Sequence, residues 1–249
     1  MKETQERELI EFLQKHKSAK IDEIASALFI SPSTVRRRLK ALQAKGLVTR
    51  THGGALLEDE KPYLPTFSLR AHKNRLEKKK MALLAVKLIK NGDVIFLDGS
   101  TSAYYVAEYL TQFENIKVVT NGIDTLSLLS EYNITAYSTG GRVSRENRAV
   151  LVGAHAERTL ANLHADVAFF SAQSVSKKGE IYDCFEDEIT LRQAMLTHAS
   201  KRVFLCDSTK FGKTSPYRLC SVNDVECIVS DQPMTEYFDE PITANVLHP

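Results

Sequence analysis

The run Ser31-Pro32-Ser33-Thr34-Val35-Arg36-Arg37-Arg38-Leu39-Lys40 limits what this chain can fold into more than any other stretch. Ser31 suits a helix N-cap, and Pro32 suits the first helical position, where its missing N–H is no loss. Val35, Leu39 and Leu42 recur at i, i+4 and i+7 and give the helix one apolar stripe. At about 100° per residue, Ser33, Arg37 and Lys40 face the opposite way, flanked by Thr34 and Arg36. A short helix buried on one side, with hydroxyls and guanidinium groups on the other, matches the major groove of duplex DNA.

The residues around it complete a module. A first helix is expected from Gln5 to His16, with Leu9, Ile10 and Leu13 on one side. A second is expected from Asp22 to Leu28, with Ile21, Ile24, Ala25 and Leu28 in helical register. Phe29-Ile30-Ser31-Pro32 reads as the turn into the third. Three short helices ending in a basic one make a helix-turn-helix. Gly46 is expected to stop the third helix, after which Leu47-Val48-Thr49-Arg50 alternates as a strand. Gly53-Gly54 offers the backbone freedom of a hairpin tip. A winged variant follows, with Arg50 and His52 beside the phosphates and a double-stranded operator as partner.

Charge is distributed to match. The 249 residues carry a net charge of only +2. Residues 1–57 nevertheless hold a surplus of five positive charges, and the remainder a surplus of three negative ones. A basic small module joined to a mildly acidic larger one fits a nucleic-acid reader attached to something that need not touch nucleic acid. Cys184, Cys206, Cys220 and Cys227 form no Cys-x-x-Cys pair and have no His partners at ligand spacing, so buried thiols are expected and no metal site. The polar, acidic amino terminus does not resemble a signal peptide, and no apolar run approaches a membrane span, so a cytoplasmic protein with no membrane partner is expected.

Residues 1–57 therefore read as the DNA-binding domain, 58–72 as a linker with two helix-disfavouring prolines, and 73–249 as a second domain. A helix is expected from Lys73 to Lys90, with Lys78-Lys79-Lys80 on its wet side and Met81, Leu84, Ala85 and Leu88 inward. Strands are expected at Val94–Leu97, Lys117–Thr120, Ile134–Ser138, Asp166–Phe170, Val203–Cys206 and Glu226–Val229. Helices fall between them near Ser102–Thr111, Ile123–Glu131, Ala154–Leu163 and Glu188–Ser200. Short apolar strands separated by amphipathic helices predict a doubly wound, mostly parallel α/β sheet.

Ligands of such sheets bind beyond the carboxyl ends of the strands. Four strand ends share one chemical flavour: Asp98-Gly99-Ser100-Thr101-Ser102, Thr120-Asn121-Gly122, Thr139-Gly140-Gly141-Arg142 and Asp207-Ser208-Thr209-Lys210. Gly99 would let the backbone approach an anion, and Ser100, Thr101 and Ser102 would supply hydroxyls and N–H groups at a helix start. Lys210 and Arg142 would add cations. Asp98, Asn121 and Asp207 would exchange hydrogen bonds with sugar hydroxyls. Convergence of these loops predicts a pocket for a phosphorylated polyol.

Residues 5 to 57 resemble the winged helix-turn-helix of the DeoR family of bacterial sugar-metabolism regulators. The resemblance rests on Ser31, Thr34-Val35-Arg36-Arg37, Leu39, Leu42, Gly46 and Arg50-Thr51-His52-Gly53-Gly54-Ala55. The family usually carries Asp where this chain has Arg38. Residues 75 to about 230 look like the DeoR-type sensor domain, itself similar to ribose-5-phosphate isomerase and CoA-transferase-like folds. That match rests on Asp98-Gly99-Ser100-Thr101, Thr120-Asn121, Gly140-Gly141-Arg142, Gly153 and Asp207-Ser208-Thr209-Lys210-Phe211-Gly212. The resemblance implies a transcriptional regulator, usually a repressor, that responds to a phosphorylated sugar and works as a dimer or tetramer. It implies no cofactor.

Catalysis is the competing expectation, since the isomerases place an Asp-Gly-Ala-Asp run where this chain has Phe170-Ser171-Ala172-Gln173. Their catalytic Glu, just after an Arg, aligns with Gln193 after Arg192. An amide is no general base, so a silent pocket is expected. Asp183, Glu186, Asp187 and Glu188 remain as nearby acids. RNA binding is disfavoured by the lack of an aromatic-rich sheet motif.

Overall fold

Ser31 occupies the N-cap expected of it: the Thr34 amide donates to its Oγ at 3.2 Å, and the Val35 amide to its carbonyl at 3.0 Å. Pro32 is the first residue of the helix that follows. The computed structural model describes residues 2–16, 18–44, 48–51, 53–57 and 64–249, with backbone alone described at 2–5, 7, 14, 15, 44, 56 and 57. Gly46, His52 and residues 58–63 of the expected linker lie outside the described residues. The chain divides into two compact units, Met1–Tyr63 and Leu64–Pro249.

The first unit runs α1 (Lys2–His16), β1 (Ser18–Lys20), α2 (Ile21–Ala27), α3 (Pro32–Ala44), β2 (Val48–Thr51) and β3 (Gly54–Leu57). Leu9, Ile10, Leu13, Ile21, Ile24, Ala25, Val35, Leu39 and Leu42 form its buried core, so each of the three helices contributes the stripe read from its spacing. The wing is a three-stranded antiparallel sheet, β1-β3-β2, whose first strand the sequence reading does not contain. Two glycines serve it differently. Gly53 takes the left-handed turn at φ 93°, whereas a Cβ on Gly54 would stand 2.4 Å from the Ala19 carbonyl oxygen on β1. The second glycine is thus fixed by close packing, not by turn geometry.

The second unit opens with α4 (Phe67–His72) and α5 (Arg75–Ala85), the latter followed by a 3-10 turn, Val86–Leu88. This corrects one expectation, since part of the expected linker is helical. The helix expected over 73–90 is present and starts after Asn74, its N-cap, which sits in the left-handed region at φ 53° and separates it from α4. Next come β4 (Val94–Leu97), α6 (Thr101–Ala107), β5 (Lys117–Thr120), α7 (Ile123–Glu131), β6 (Ala136–Ser138), β7 (Arg142–Val143), β8 (Leu151–Val152), α8 (Ala154–Ala161) and β9 (Val167–Phe170). They are followed by β10 (Ser174–Val175), β11 (Glu180–Asp183), α9 (Glu186–Thr197), β12 (Arg202–Cys206), β13 (Tyr217–Ser221), β14 (Cys227–Ser230) and β15 (Asn245–Leu247).

Seven strands form one wholly parallel sheet in the order β15-β14-β12-β9-β4-β5-β6. Successive strand residues enter opposite layers, and both layers are covered. Ile95 and Leu97 pack with Met81, Ala82 and Ala85 of α5 and Val106 of α6. Phe96 packs on the other face with Ala156 and Leu160 of α8 and Leu191 and Met195 of α9. That two-sided burial is why the strands read as continuous apolar runs, and it makes the sheet doubly wound. Strand order reverses between β4 and β9, so the switch point of the sheet lies there. A separate antiparallel sheet, β10-β11-β13, and the pair β7-β8 flank it.

Among the described residues no helix is long and apolar enough to cross a membrane, and no cluster of His, Cys, Asp and Glu could hold a metal ion. The four cysteines are free; Cys206, Cys220 and Cys227 are buried and Cys184 is half-buried.

Phe29 stands apart. It is 95% exposed and holds φ 53°, a conformation that disfavours any side chain but Asn and Asp. Phe29→Asn is therefore expected to stabilise the amino-terminal unit by about 1 kcal/mol in urea unfolding. A loss of stability would show that the ring is held by contacts within the fold.

Candidate functional site

On the DNA-binding unit, Val35 and Leu39 bury one side of α3, leaving Ser33, Arg36, Arg37 and Lys40 exposed and Thr34 half-buried on the other. Ser31 Oγ lies 2.9 Å from both Ser33 Oγ and Thr34 Oγ1, a hydroxyl cluster at the helix start. Arg50 is exposed on β2. Arg38 turns inward: it is buried, with its guanidinium 4.0 Å from Glu6 of α1. The departure from the family's usual Asp therefore falls on a helix–helix contact and not on the exposed face.

In the second unit a cavity of about 460 Å³ opens over the carboxyl ends of β4, β9 and β12, at the switch point of the sheet. Gly99, Ser100, Thr101 and Ser102 follow β4, Ser171 follows β9, and Asp207, Thr209 and Lys210 follow β12; all line it. Ser100 caps α6 by accepting from the Ala103 amide at 3.1 Å. Ser102 is 2% exposed, and its Oγ has no hydrogen-bond partner among the described residues. A Cβ at Gly99 would strike Val150 Cγ1 at 2.2 Å, so glycine there answers to packing under the loop.

The floor is one buried guanidinium. Arg192 of α9 donates through Nε to Asp98 at 3.0 Å and through a terminal nitrogen to Asp183 at 3.0 Å, with Glu188 at 3.5 Å. Asp98 also accepts from the amides of Ser100 and Ser171, each at 3.1 Å. Its carboxylate thus takes three hydrogen bonds within the protein, and Asp98 stands behind the cavity lining. Glu188 accepts further from Asn147 at 3.0 Å, and burial pushes its carboxyl up to about 7 despite Arg192. Burial works against the charge of Arg192, but Asp183, Asp98 and Glu188 outweigh it and hold the guanidinium above its ordinary value.

Further cations line the cavity, among them Lys210, Lys78 and Arg70. Lys210 donates to Ser171 Oγ and lies 3.8 Å from Asp207. Asp207 is buried and accepts from Thr209 and from Asn74 at 3.2 Å. Burial tends to raise its carboxyl, yet Lys210 and the Thr209 hydroxyl carry it below the ordinary carboxylate value. Lys78, expected on a wet face, is 5% exposed and lines the cavity. Its ammonium donates to the carbonyls of Arg70 and Lys73, closing the end of α4. Burial and neighbouring Lys210 lower it to about 8. Arg70, half-buried, donates to the Pro65 carbonyl at 3.1 Å and to Asn147 at 3.0 Å.

Four expected residues are not brought here. Asn121 donates to the Leu151 carbonyl at 3.1 Å and braces β8. Gly140 and Gly141 form a left-handed turn beyond β6, and Arg142 pairs with Asp187 on the surface. β5 and β6 lie on the far side of β4 from β9, and the residues after them do not line the cavity. Gln193, aligned with the isomerase Glu, donates to the Leu219 carbonyl and does not line the cavity. The reading from sequence misses Arg70, Lys73, Asn74, Lys78, Asn147 and Arg192, which all line it.

Family models agree with this division. Residues 6–61 match the DeoR-like helix-turn-helix domain and residues 73–232 the DeoR C terminal sensor domain. The chain belongs to the DeoR family. Similar relatives include the L-fucose operon activator of Haemophilus influenzae, 32% identical over 92% of this chain and 91% of that protein. The uncharacterized HTH-type transcriptional regulator YgbI of Escherichia coli is 31% identical over 92% and 89%. The HTH-type transcriptional repressor GlcR of Bacillus subtilis is 29% identical over 95% and 91%. Among solved structures, ribose 5-phosphate isomerase A of Methanocaldococcus jannaschii gives a TM-score of 0.42 at 21% identity, covering 55% of each chain. Translation initiation factor eIF-2B of Pyrococcus horikoshii gives 0.45 at 12%, covering 90% and 81%. As a DeoR-family member this chain is a DNA-binding transcriptional regulator.

Two groups at the cavity titrate near neutrality. Glu188 is neutral below about pH 7 and Lys78 loses its charge above about pH 8, so the affinity of any anion placed between them is expected to fall as pH rises through each. Calorimetry with sulfate, whose charge is constant in this range, is expected to show both steps, the upper by at most about tenfold per pH unit. Lys78→Met should abolish the upper step and Glu188→Gln the lower. A pH-independent wild-type affinity would contradict the placement of both groups.

Proposed function

We propose that this chain regulates a sugar-metabolism operon, in the main as a repressor, and that a phosphorylated sugar or related metabolite in the cavity changes its hold on operator DNA. One observation carries the ligand reading. Lys78 and Lys210 meet Ser100, Thr101 and Ser102 in a single cavity, and the buried Ser102 hydroxyl there lacks a partner. Buried hydroxyls normally have one, and cations beside them favour a phosphate. Gly99, Ser100, Thr101, Ser102 and Lys210 would hold the phosphate, with Lys78 and Arg70 added, and Asp207 would orient Lys210.

The cavity binds without turnover in this reading. Ser171-Ala172-Gln173 supplies no acid after β9, and Asp183 and Glu188 are engaged by Arg192 and Asn147. A carboxylate acts as general base only where it faces the substrate proton. On the DNA side, Ser33, Thr34, Arg36 and Arg37 would read bases or set register, while Lys40, Arg50 and His52 would contact phosphates. One such head offers too few contacts for specific recognition, so a dimer or tetramer on a repeated site, in the cytoplasm, is the working form.

Arg37→Ala is expected to weaken operator binding by about 1–3 kcal/mol at the base pair it reads. Lys40→Ala should weaken all duplexes alike and lower the salt slope by about one. Fluorescence anisotropy in two salt concentrations measures both, and indifference to both changes would overturn this placement. For the cavity, a thermal-shift screen of sugar phosphates should find a ligand that stabilises by about 2.7 kcal/mol at one hundred times its Kd. Lys210→Gln should erase that shift; no shift with any phosphate ester would refute the ligand reading.

A further inference from the structure

The cavity wall made by α4 and the turn into α5 is held by a set of polar contacts and by one ring contact, Phe67 edge-on to Tyr104 at 5.2 Å. Ala71 is the one buried side chain of α4. The bonds that fix the segment are Arg70 to Asn147, Asn74 to Asp207 at 3.2 Å and to Thr209 at 3.3 Å, and the Tyr105 hydroxyl to the Ala71 carbonyl at 3.0 Å. Asn147, Asp207 and Thr209 themselves line the cavity. So do Leu64, Pro65, Arg70, Lys73 and Asn74, five of the first eleven residues of this unit. The segment is both wall and guest of the same cavity.

A segment with few buried apolar contacts opens locally at a free energy well below that of global unfolding. An anion beside Lys210 meets Arg70 only when α4 is docked. It meets a fixed Lys78 on the same condition, because that ammonium is tied to two α4-side carbonyls. The ligand therefore has a higher affinity for the docked arrangement, and occupancy shifts α4 toward it. We propose that α4 is a ligand-responsive strap, latched by Arg70–Asn147 and by the Tyr105 hydroxyl on the Ala71 carbonyl, and hinged at left-handed Asn74, which Asp207 anchors. As the first helix after the DNA-binding unit in the chain, it is the element through which occupancy is passed on. This inference rests on reading the cavity as an anion site.

Amide hydrogen exchange of the full-length chain, with inorganic phosphate as the probe, tests it. The amides of Arg70 and Lys73, bonded to the Thr66 and Leu69 carbonyls, are the reporters. At phosphate ten times its Kd they are expected to exchange about tenfold more slowly, with α7 unchanged. Tyr105→Phe removes a bond to α4 from outside the cavity and should speed the same amides severalfold without ligand. Phosphate binding, seen as a thermal shift, with unaltered α4 exchange would overturn the strap and leave the anion site standing. No phosphate binding would overturn both. Unaltered exchange in Tyr105→Phe would show that α4 opens only with the whole domain, and would also overturn it.

Discussion

A single buried guanidinium organises the sensor unit. Arg192 rises from α9 and gathers Asp98 from the end of β4, Asp183 from β11 and Glu188 from its own helix. Removing one partner of such a group leaves an uncompensated buried charge, which costs about 3–5 kcal/mol. The loop after β4 can therefore take its place only when α9 and the small antiparallel sheet are also in place. Asp98 then holds the Ser100 and Ser171 amides, which fixes two of the three loops that line the cavity. Acids and cations alternate around the cavity, with Asp207 beside Lys210 and Asn147 linking Arg70 to Glu188.

Much of this was legible in the chain. The α3 stripe of Val35, Leu39 and Leu42, the capping Ser31 and the alternating strands each follow a local periodicity that tertiary packing then uses. Residue chemistry at four strand ends pointed to a cavity; two of them, after β4 and β12, converge there, joined by the loop after β9. The other two, with Asn121 and with Gly140, Gly141 and Arg142, do not line it, because strand order is set by long-range pairing that local pattern does not carry. β5 and β6 lie on the wrong side of β4.

Lys78 shows a second kind of illegibility. In Lys78-Lys79-Lys80 a charge run reads as solvated surface, and for Lys80 it is exposed. Lys78 is buried where the chain turns at Asn74 between α4 and α5 and two carbonyls of the α4 end meet its ammonium. Nothing in composition signals that turn. Asp98 illustrates the converse: a residue of the right chemistry at the right loop, bonded to Arg192 and two amides, builds the site from behind its lining. In both cases a partner distant in sequence decides what the side chain does.

The central claim is that one chain links operator DNA to an anion in the sensor cavity. Linkage requires the two affinities to change by the same factor. The direct measurement is therefore paired: operator affinity with and without a saturating sugar phosphate, and sugar-phosphate affinity with and without operator. The account predicts equal factors, typically about 5- to 150-fold, that collapse to one in Lys210→Gln. Operator affinity that is indifferent to a ligand shown to occupy the cavity would contradict it.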